Sequence, residues 1–530
     1  MKFTSIDYGF FLAIILGIYW LVPNFFRVAT PSVELKAQPK LIESWRLWVI
    51  IIASLIFYAS LQIEYDYSAI QYIPLLVVII LINFHLGQAI GTNTAPGNHA
   101  NNEQLSNQEW LVAQTYWNRR RLKLLWLGIL ANIIFLLGFR YVPFILTNVL
   151  LPLNLSISPE STNWISTRLI VPLGLSFFIF ECIAYLIDVY RGAPATKQLL
   201  NFTAYKLFFP KLIAGPITRY HQFSAELKTL QFPSVEQLTA GLWLITCGAI
   251  KKALLADHIG IFVDLCFGNL ERAGSGDLWL AIVAYGLQIY LDFSGYVDMA
   301  RGSAIILGFN LPENFDSPYL CTSIADFWRR WHMTLGDWIR NYLYFPLGGS
   351  RQGLIRTCLN LFLVMLIIGI WHGAAWGFAV WGGLHGLALV IHRLTQAVSQ
   401  RLDWTTKWWQ SWLGLLMAWW LTQSMVFMSW IFFRLPNIQQ SSLVFKNIWG
   451  HPADVQFYQK VYLEAIGMER FQLTLLLLAL ITSMAIIYGV GKVLKLQLNW
   501  PVKLLLVPLF LFSVWVLAPQ GSLPYIYFDF

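Results

Sequence analysis

Two histidines lie in contrasting surroundings between Thr322 and Gly386, one in Asp326-Phe-Trp-Arg-Arg-Trp-His332 and one in Ile370-Trp-His372-Gly-Ala-Ala-Trp376. Imidazole accepts a proton near neutral pH, and burial keeps the ring neutral at the start of a reaction, so either residue has the chemistry of a general base. No Ser-His-Asp set and no metal-ligand spacing accompanies them. One good candidate base without a nucleophile favours direct group transfer over a covalent enzyme intermediate. The five cysteines (Cys182, Cys247, Cys266, Cys321 and Cys358) lie in or beside apolar stretches without CxxC or Cys/His spacing, which argues against a disulfide framework or a metal site. A lone histidine in an apolar segment is more often packed and hydrogen-bonded than catalytic, so the residues alone leave both readings open.

The elements that must hold these rings read as helices. Ser323 can cap a helix with Asp326 at its third position, and Pro346-Leu-Gly-Gly349 stops it. At about 100° per residue, Ile324, Phe327, Trp328, Trp331, Leu335, Trp338, Ile339 and Tyr342 share one face, with His332 at its edge. Arg329, Arg330, Asp337 and Arg340 fall towards the far side, a distribution suited to a membrane interface or a cavity wall. His372 follows the apolar run Leu361 to Ile370, and Gly373, Ala374, Ala375, Gly377, Ala379, Gly382, Gly383 and Gly386 come after it, small enough for helices to approach closely or for a substrate to fit.

Further ionisable groups sit inside apolar runs, where each costs several kcal/mol unless it faces a partner or a cavity. Asp292, Ser294, Asp298 and Arg301 are embedded between Leu278 and Phe309, and the spacing lets Asp298 pair with Arg301. Glu181 lies within an apolar run and Asp188 at its edge. His385 and His392 share a helical face and read as packed or interfacial. Phe208-Phe-Pro-Lys-Leu-Ile-Ala-Gly-Pro216 is too short and broken to span, and reads as a re-entrant segment covered by protein or lining a water-filled cavity.

The composition sets all of this in a bilayer. The chain has 530 residues, of which 57% are hydrophobic and 12% charged, against about 25% charged in a soluble domain. The formal charge of +9 sits in short clusters beside apolar runs, as topology signals do, and not in a nucleic-acid-binding face. Spans are expected at about Tyr8–Phe26, Leu47–Leu61, Ala69–Ile90, Leu124–Leu146 and Leu169–Val189, and later near Trp412–Phe433, Phe471–Val490 and Leu504–Val516. Basic residues place the loop after the first span and the Arg119-Arg-Arg121 cluster inside, the N-terminus and the loop Leu435–Arg470 outside. Gly91–Gln108 reads as a flexible cytoplasmic loop. The expected fold is all-α and polytopic, with about 11 to 13 transmembrane helices plus re-entrant and interfacial helices around a central tunnel, in one domain over residues 1–530 whose motifs fall at about 168–395.

Several segments in order carry a resemblance: Pro172-Leu-Gly-Leu-Ser-Phe-Phe, Phe209-Pro-Lys-Leu-Ile-Ala-Gly-Pro-Ile217, Asp292-Phe-Ser-Gly-Tyr-Val-Asp-Met-Ala300, Phe327-Trp-Arg-Arg-Trp-His-Met333, Tyr344-Phe-Pro-Leu-Gly-Gly349 and Trp371-His-Gly-Ala374. In these the chain resembles the membrane-bound O-acyltransferases of the bacterial polysaccharide-modifying branch. The resemblance implies that His372 is the catalytic histidine and His332 a second functional one, with His332 or a nearby donor steadying the oxyanion. Asp292, Ser294, Asp298, Arg329, Arg330, Trp328, Trp331, Trp371 and Trp376 would bind substrate or support the site. It also implies an acyl thioester such as acetyl-CoA as donor substrate with no permanently bound cofactor, an extracytoplasmic polysaccharide or an acyltransferase partner as acceptor, and the bacterial inner membrane as location. Its length and its ending, Tyr525-Ile-Tyr-Phe-Asp-Phe530, resemble acetylating members more than D-alanylating ones. The rival reading is a polytopic transporter without chemistry of its own, because broken helices and buried charges also mark transport pathways. It would call for internally symmetric halves, and none is visible.

Overall fold

The computed structural model describes residues 3–29, 38–64, 67–91, 107–146, 150, 171–519 and 523–526. The expected cytoplasmic loop falls outside these residues from 92 to 106, as does most of the loop after the fourth span. In lipid a backbone can satisfy its polar groups only internally, and the apolar runs accordingly form helices. Among the described residues nine helices are long and apolar enough to cross a membrane. The protein is an all-α polytopic membrane protein; among the described residues a short antiparallel ribbon pairs Gln62–Glu64 with Tyr67–Ser68.

The chain forms two compact units, Met1–Gln237 with Ser303–Leu311, and Leu238–Gly302 with Pro312–Phe530. The first contains α1 (Ile6–Ala29), α2 (Gln38–Ala59), α3 (Ile73–Gly91), α4 (Asn107–Ile145), α5 (Leu175–Tyr190), α6 (Leu199–Leu207) and α7 (Tyr220–Lys228). Helix α5 starts later than the apolar run because Gly174 turns the chain at φ 74°, and a Cβ there would meet Leu212 O at 2.5 Å. Arg121, expected as a topology signal, also does structural work. Its Nε donates to Ile90 O at 2.8 Å and its Nη2 to Val189 O and Tyr190 O at 3.1 and 2.9 Å, so one guanidinium satisfies the carbonyl ends of α3 and α5.

Glu181 finds its partners in this unit. Lys211 Nζ donates to it at 2.5 Å, Lys206 Nζ at 3.1 Å, and Thr218 through both N and Oγ1 at 3.1 and 3.0 Å. The cluster pins the segment 208–216, buried throughout as its re-entrant reading requires. Removing one partner from such a buried cluster costs about 3–5 kcal/mol, because it strands the others.

The second unit holds the histidines. Helix α8 (Val235–Ala249) passes through a π-helical turn, Ile250–Ala256, into α9 (Asp257–Phe267), and α10 (Ser275–Ile306) runs beside them with its last turn in the first unit. There follow α11 (Ile324–Arg330), α12 (Met333–Ile339), α13 (Gly353–His372), α14 (Trp376–Ser399), α15 (Asp403–Gln410), α16 (Trp412–Arg434), α17 (Ile438–Asn447), α18 (Val455–Tyr458), α19 (Arg470–Tyr488) and α20 (Trp500–Leu517). The small residues after His372 work as expected. A Cβ on Gly369 would meet Phe378 O at 2.3 Å and one on Gly382 would meet Met365 O at 2.5 Å, so α13 and α14 pack backbone against backbone.

Two expectations are corrected here. Asp298 does not pair with Arg301: Lys251 Nζ reaches Asp298 at 2.6 Å, and Arg301 pairs with Glu313 at 3.2 Å. Helix wheels cannot see a neighbouring helix, and here it supplies the better partner. Nor does one helix run from Ser323 to Pro346. Ser323 does cap α11, accepting from Asp326 N at 3.2 Å, but the helix ends at Arg330 and restarts at Met333.

Candidate active site

The break falls on His332, which takes the left-handed conformation at φ 46° and ψ 54°. Such a conformation is costly for a residue with a Cβ, so its surroundings must hold it there. They do so by pairing the chain on either side with the segment before α11: Asp316 N donates to Arg330 O, Phe315 bridges Trp331, and Met333 N donates to Asn314 O, at 3.0 Å for both hydrogen bonds. The Asn314 side chain completes the clamp. Its Oδ1 accepts from Thr334 N at 3.1 Å and Thr334 Oγ1 at 3.0 Å, and it lies 3.2 Å from His332 Nδ1. A backbone N–H can only donate, so Oδ1 is an acceptor and His332 carries its proton on Nδ1, leaving Nε2 as the basic nitrogen.

A ring that presents a lone pair at Nε2 cannot there donate to an oxyanion. Burial pushes its pKa down to about 3, so the imidazole stays neutral and accepts a hydrogen bond more readily than a proton.

His372 ends α13 and is also buried. Three rings surround it: Trp371 at 4.6 Å between centroids, Trp381 at 5.1 Å and perpendicular, and Phe433 at 5.0 Å. Trp381 stacks on Trp430 at 6.0 Å, and Trp430 meets Trp331, the neighbour of His332, at 5.1 Å. A continuous aromatic wall from the break after α11, from α14 and from α16 thus joins the two histidines. The Nε1 atoms of Trp381 and Trp430 are buried and have no acceptor among the described residues. Trp328 also joins the wall, donating to His385 Nδ1 at 3.2 Å. Trp371 is half-buried, whereas Trp376 is exposed at the start of α14.

The remaining candidates separate. Asp292 is buried and accepts from Lys252 Nζ and, at 3.0 Å, from Ile526 N; Lys252 also pairs with Asp257 at 2.8 Å. The π-helical turn carries Lys251 and Lys252 to their aspartates on α10, so Asp292 and Asp298 are both committed to lysines. Ser294 is buried with no hydrogen-bond partner for its Oγ among the described residues. Arg330 pairs with Asp326 at 2.9 Å and lies 3.5 Å from Tyr488 Oη. Arg329 is exposed and makes no ion pair among the described residues; its charge, like that of Arg393, acts on His392.

His392 lines a cavity of about 740 Å³ between the start of α11, the second half of α14, α15 and the first half of α16. Gln396, Gln400 and Gln410 line it together with Leu415, Leu421 and Met425. Sequence reasoning missed Asn314, Lys252, Trp381, Trp430 and this cavity. The Trp381-to-His385 spacing was a signal for one helical face, but nothing local announced that α16 would pack against it.

The profile of the membrane-bound O-acyltransferase family matches residues 60–433, which include both histidines. The chain is 31% identical, over the whole of both proteins, to the probable alginate O-acetylase AlgI of Pseudomonas putida. It is 33% identical to the peptidoglycan O-acetyltransferase of Helicobacter pylori over 76% of this chain and 74% of that one. To the teichoic acid D-alanyltransferase of Streptococcus thermophilus it is 29% identical, over 46% of this chain and 62% of the relative. The chain belongs to the membrane-bound O-acyltransferase family. It is an integral membrane acyltransferase, and the transporter without chemistry of its own is set aside.

Proposed function

We propose that the protein moves an acetyl group from a cytoplasmic thioester such as acetyl-CoA to a hydroxyl of a polysaccharide outside the bacterial inner membrane, or to an acyltransferase partner that completes the transfer. The observation that carries this reading is a buried imidazole, His372, at a helix end inside an aromatic enclosure. The acceptor hydroxyl attacks the thioester carbonyl while His372 takes its proton; the C–S bond then breaks and the proton passes to the thiolate. Charge developing on the carbonyl oxygen needs a donor, and the Nε1–H of Trp381, beside His372, is available for it. His332, whose neutral ring carries its lone pair on Nε2, would accept a hydrogen bond from the bound substrate and orient it. The acetylating relatives support acetyl as the group moved, and whole-length similarity to one of them favours acetyl over D-alanyl.

The donor side fits the cavity under α14 and α16. Arg351, Arg356, Arg393, Arg401 and Lys407 collect where α13 starts, α14 ends and α15 lies, against Asp403 alone, which reads as the cytoplasmic end. A cavity walled by amide, hydroxyl and apolar groups, whose lining residue His392 feels the charges of Arg329 and Arg393, suits the arm of a phosphate-bearing thioester. Replacing the exposed Arg329 by Gln should raise the donor's KM roughly fivefold, the loss of about 1 kcal/mol of charge-assisted contact, and leave kcat nearly unchanged. Arg330→Gln should instead lower thermal stability through Asp326. Steady-state kinetics at varied acetyl-CoA decide it, and an unchanged KM in Arg329→Gln leaves that residue as a headgroup anchor. The function itself is tested by incubating the purified protein with labelled acetyl-CoA and candidate polysaccharides: label should enter a base-labile ester on the acceptor, and free acetate alone would contradict it.

A further inference from the structure

His385 follows Trp381 by one turn of α14 and is fully buried. Both ring nitrogens are used. Trp328 Nε1 donates to Nδ1 at 3.2 Å, and Nε2 lies 2.9 Å from Ser429 Oγ. An indole nitrogen only donates, so Nδ1 bears the lone pair and the proton of the neutral ring is on Nε2. Ser429 can accept it, since its own hydrogen goes to Val426 O at 2.7 Å. One imidazole in one tautomer therefore ties α11 to α14 and α16.

The place of this tie matters. The cavity reaches Ile324 on α11, Ala388 on α14 and Met425 on α16, one turn short of Trp328, His385 and Ser429 on the same three helices. On the other side, His385 packs on Trp381 at 4.7 Å, and Trp381 stands against His372. The tie thus lies between the cavity's inner end and the residues around His372. Apolar side chains would fill such a position without burying polar atoms, whereas a fully satisfied polar network selects one arrangement of its members.

The geometry points to His385 as a positioning residue for acyl transfer: it fixes the Trp328 indole, and with it the wall between the donor cavity and His372. This rests on the donor reading above. His385 is not a proton carrier, because a proton on Nδ1 would break the bond to Trp328.

The amide substitutions divide its two bonds. Asn at 385 offers an oxygen near the place of Nδ1 and can still accept from Trp328, while Gln reaches towards Ser429 and leaves the indole without an acceptor. Since small misplacements at a reacting centre cost up to about 100-fold, kcat should fall roughly 10- to 100-fold in His385→Ala and His385→Gln, while His385→Asn keeps about a third or more and donor KM moves less than about threefold. His385→Gln combined with Trp328→Phe should lose no more than the worse single variant, in kcat and in thermal midpoint, because both remove the same bond. Retention of activity in Gln but not Asn, equal losses in all three variants, wild-type activity in all three, or additive losses in the double variant would overturn the inference. A wild-type protein inert towards acetyl-CoA defeats the donor reading instead, and the thermal cycle between positions 328 and 385 then still decides whether the tie exists.

Discussion

His372→Ala should abolish acyl transfer while leaving expression and membrane insertion nearly intact. Loss of a general base costs about 10²–10⁴ in rate. The surroundings explain why the effect should fall on rate and not on folding. His372 closes α13 at its last residue, and the neighbouring helices are held by the glycine contact of Gly369 with Gly382 and by the rings of Trp381, Trp430 and Phe433. Alanine leaves those contacts in place. Turnover of the purified variant, normalised to folded protein by its thermal midpoint, separates the outcomes: a variant that unfolds early and recovers its rate per folded molecule would mark His372 as structural.

Trp381→Phe should lower kcat by about 10²–10³, the loss typical of removing one oxyanion donor, with donor KM changed only severalfold. Phenylalanine keeps an aromatic ring against His372 but removes the N–H. Because it is also smaller than indole, the decisive companion is the isosteric benzothienylalanine, which replaces the N–H by sulfur at nearly constant volume. Equal losses in the two variants assign the effect to the missing donor. Full kcat in the benzothienyl variant would reduce Trp381 to packing, and the corresponding Trp430 substitution would then be the next to measure.

Much of the fold was legible because lipid permits so few solutions. Hydropathy placed the later spans within a few residues of α16, α19 and α20, and the cost of a bare carboxylate in an apolar run called for a partner for Glu181. The site was legible only in part. The types and settings of His332 and His372 pointed to them, but a helix wheel assumes an unbroken helix, and the antiparallel pairing of residues 314–316 with 330–333 breaks it at His332. The ion pairs of Asp292 and Asp298 depend on a π-helical turn that rotates Lys251 and Lys252 towards α10, which no local rule announces. His385 read as a packed residue, and packed it is; its meaning comes from Trp328 and Ser429, distant in sequence and joined only by tertiary structure.

The central claim is that this chain carries an acetyl group from a thioester on one side of the membrane to a hydroxyl on the other, with His372 as the base. The most direct measurement reconstitutes the purified wild type and His372→Gln in liposomes, with acetyl-labelled CoA confined to one side and the polysaccharide, with any partner it needs, on the other. Wild type should place label in a base-labile ester on the acceptor across the bilayer. His372→Gln, which keeps a hydrogen-bonding group but no base, should fall by at least the roughly 100-fold at the modest end of general-base loss. Ester formation by His372→Gln at more than about a tenth of the wild-type rate would contradict the account and remove His372 from the mechanism.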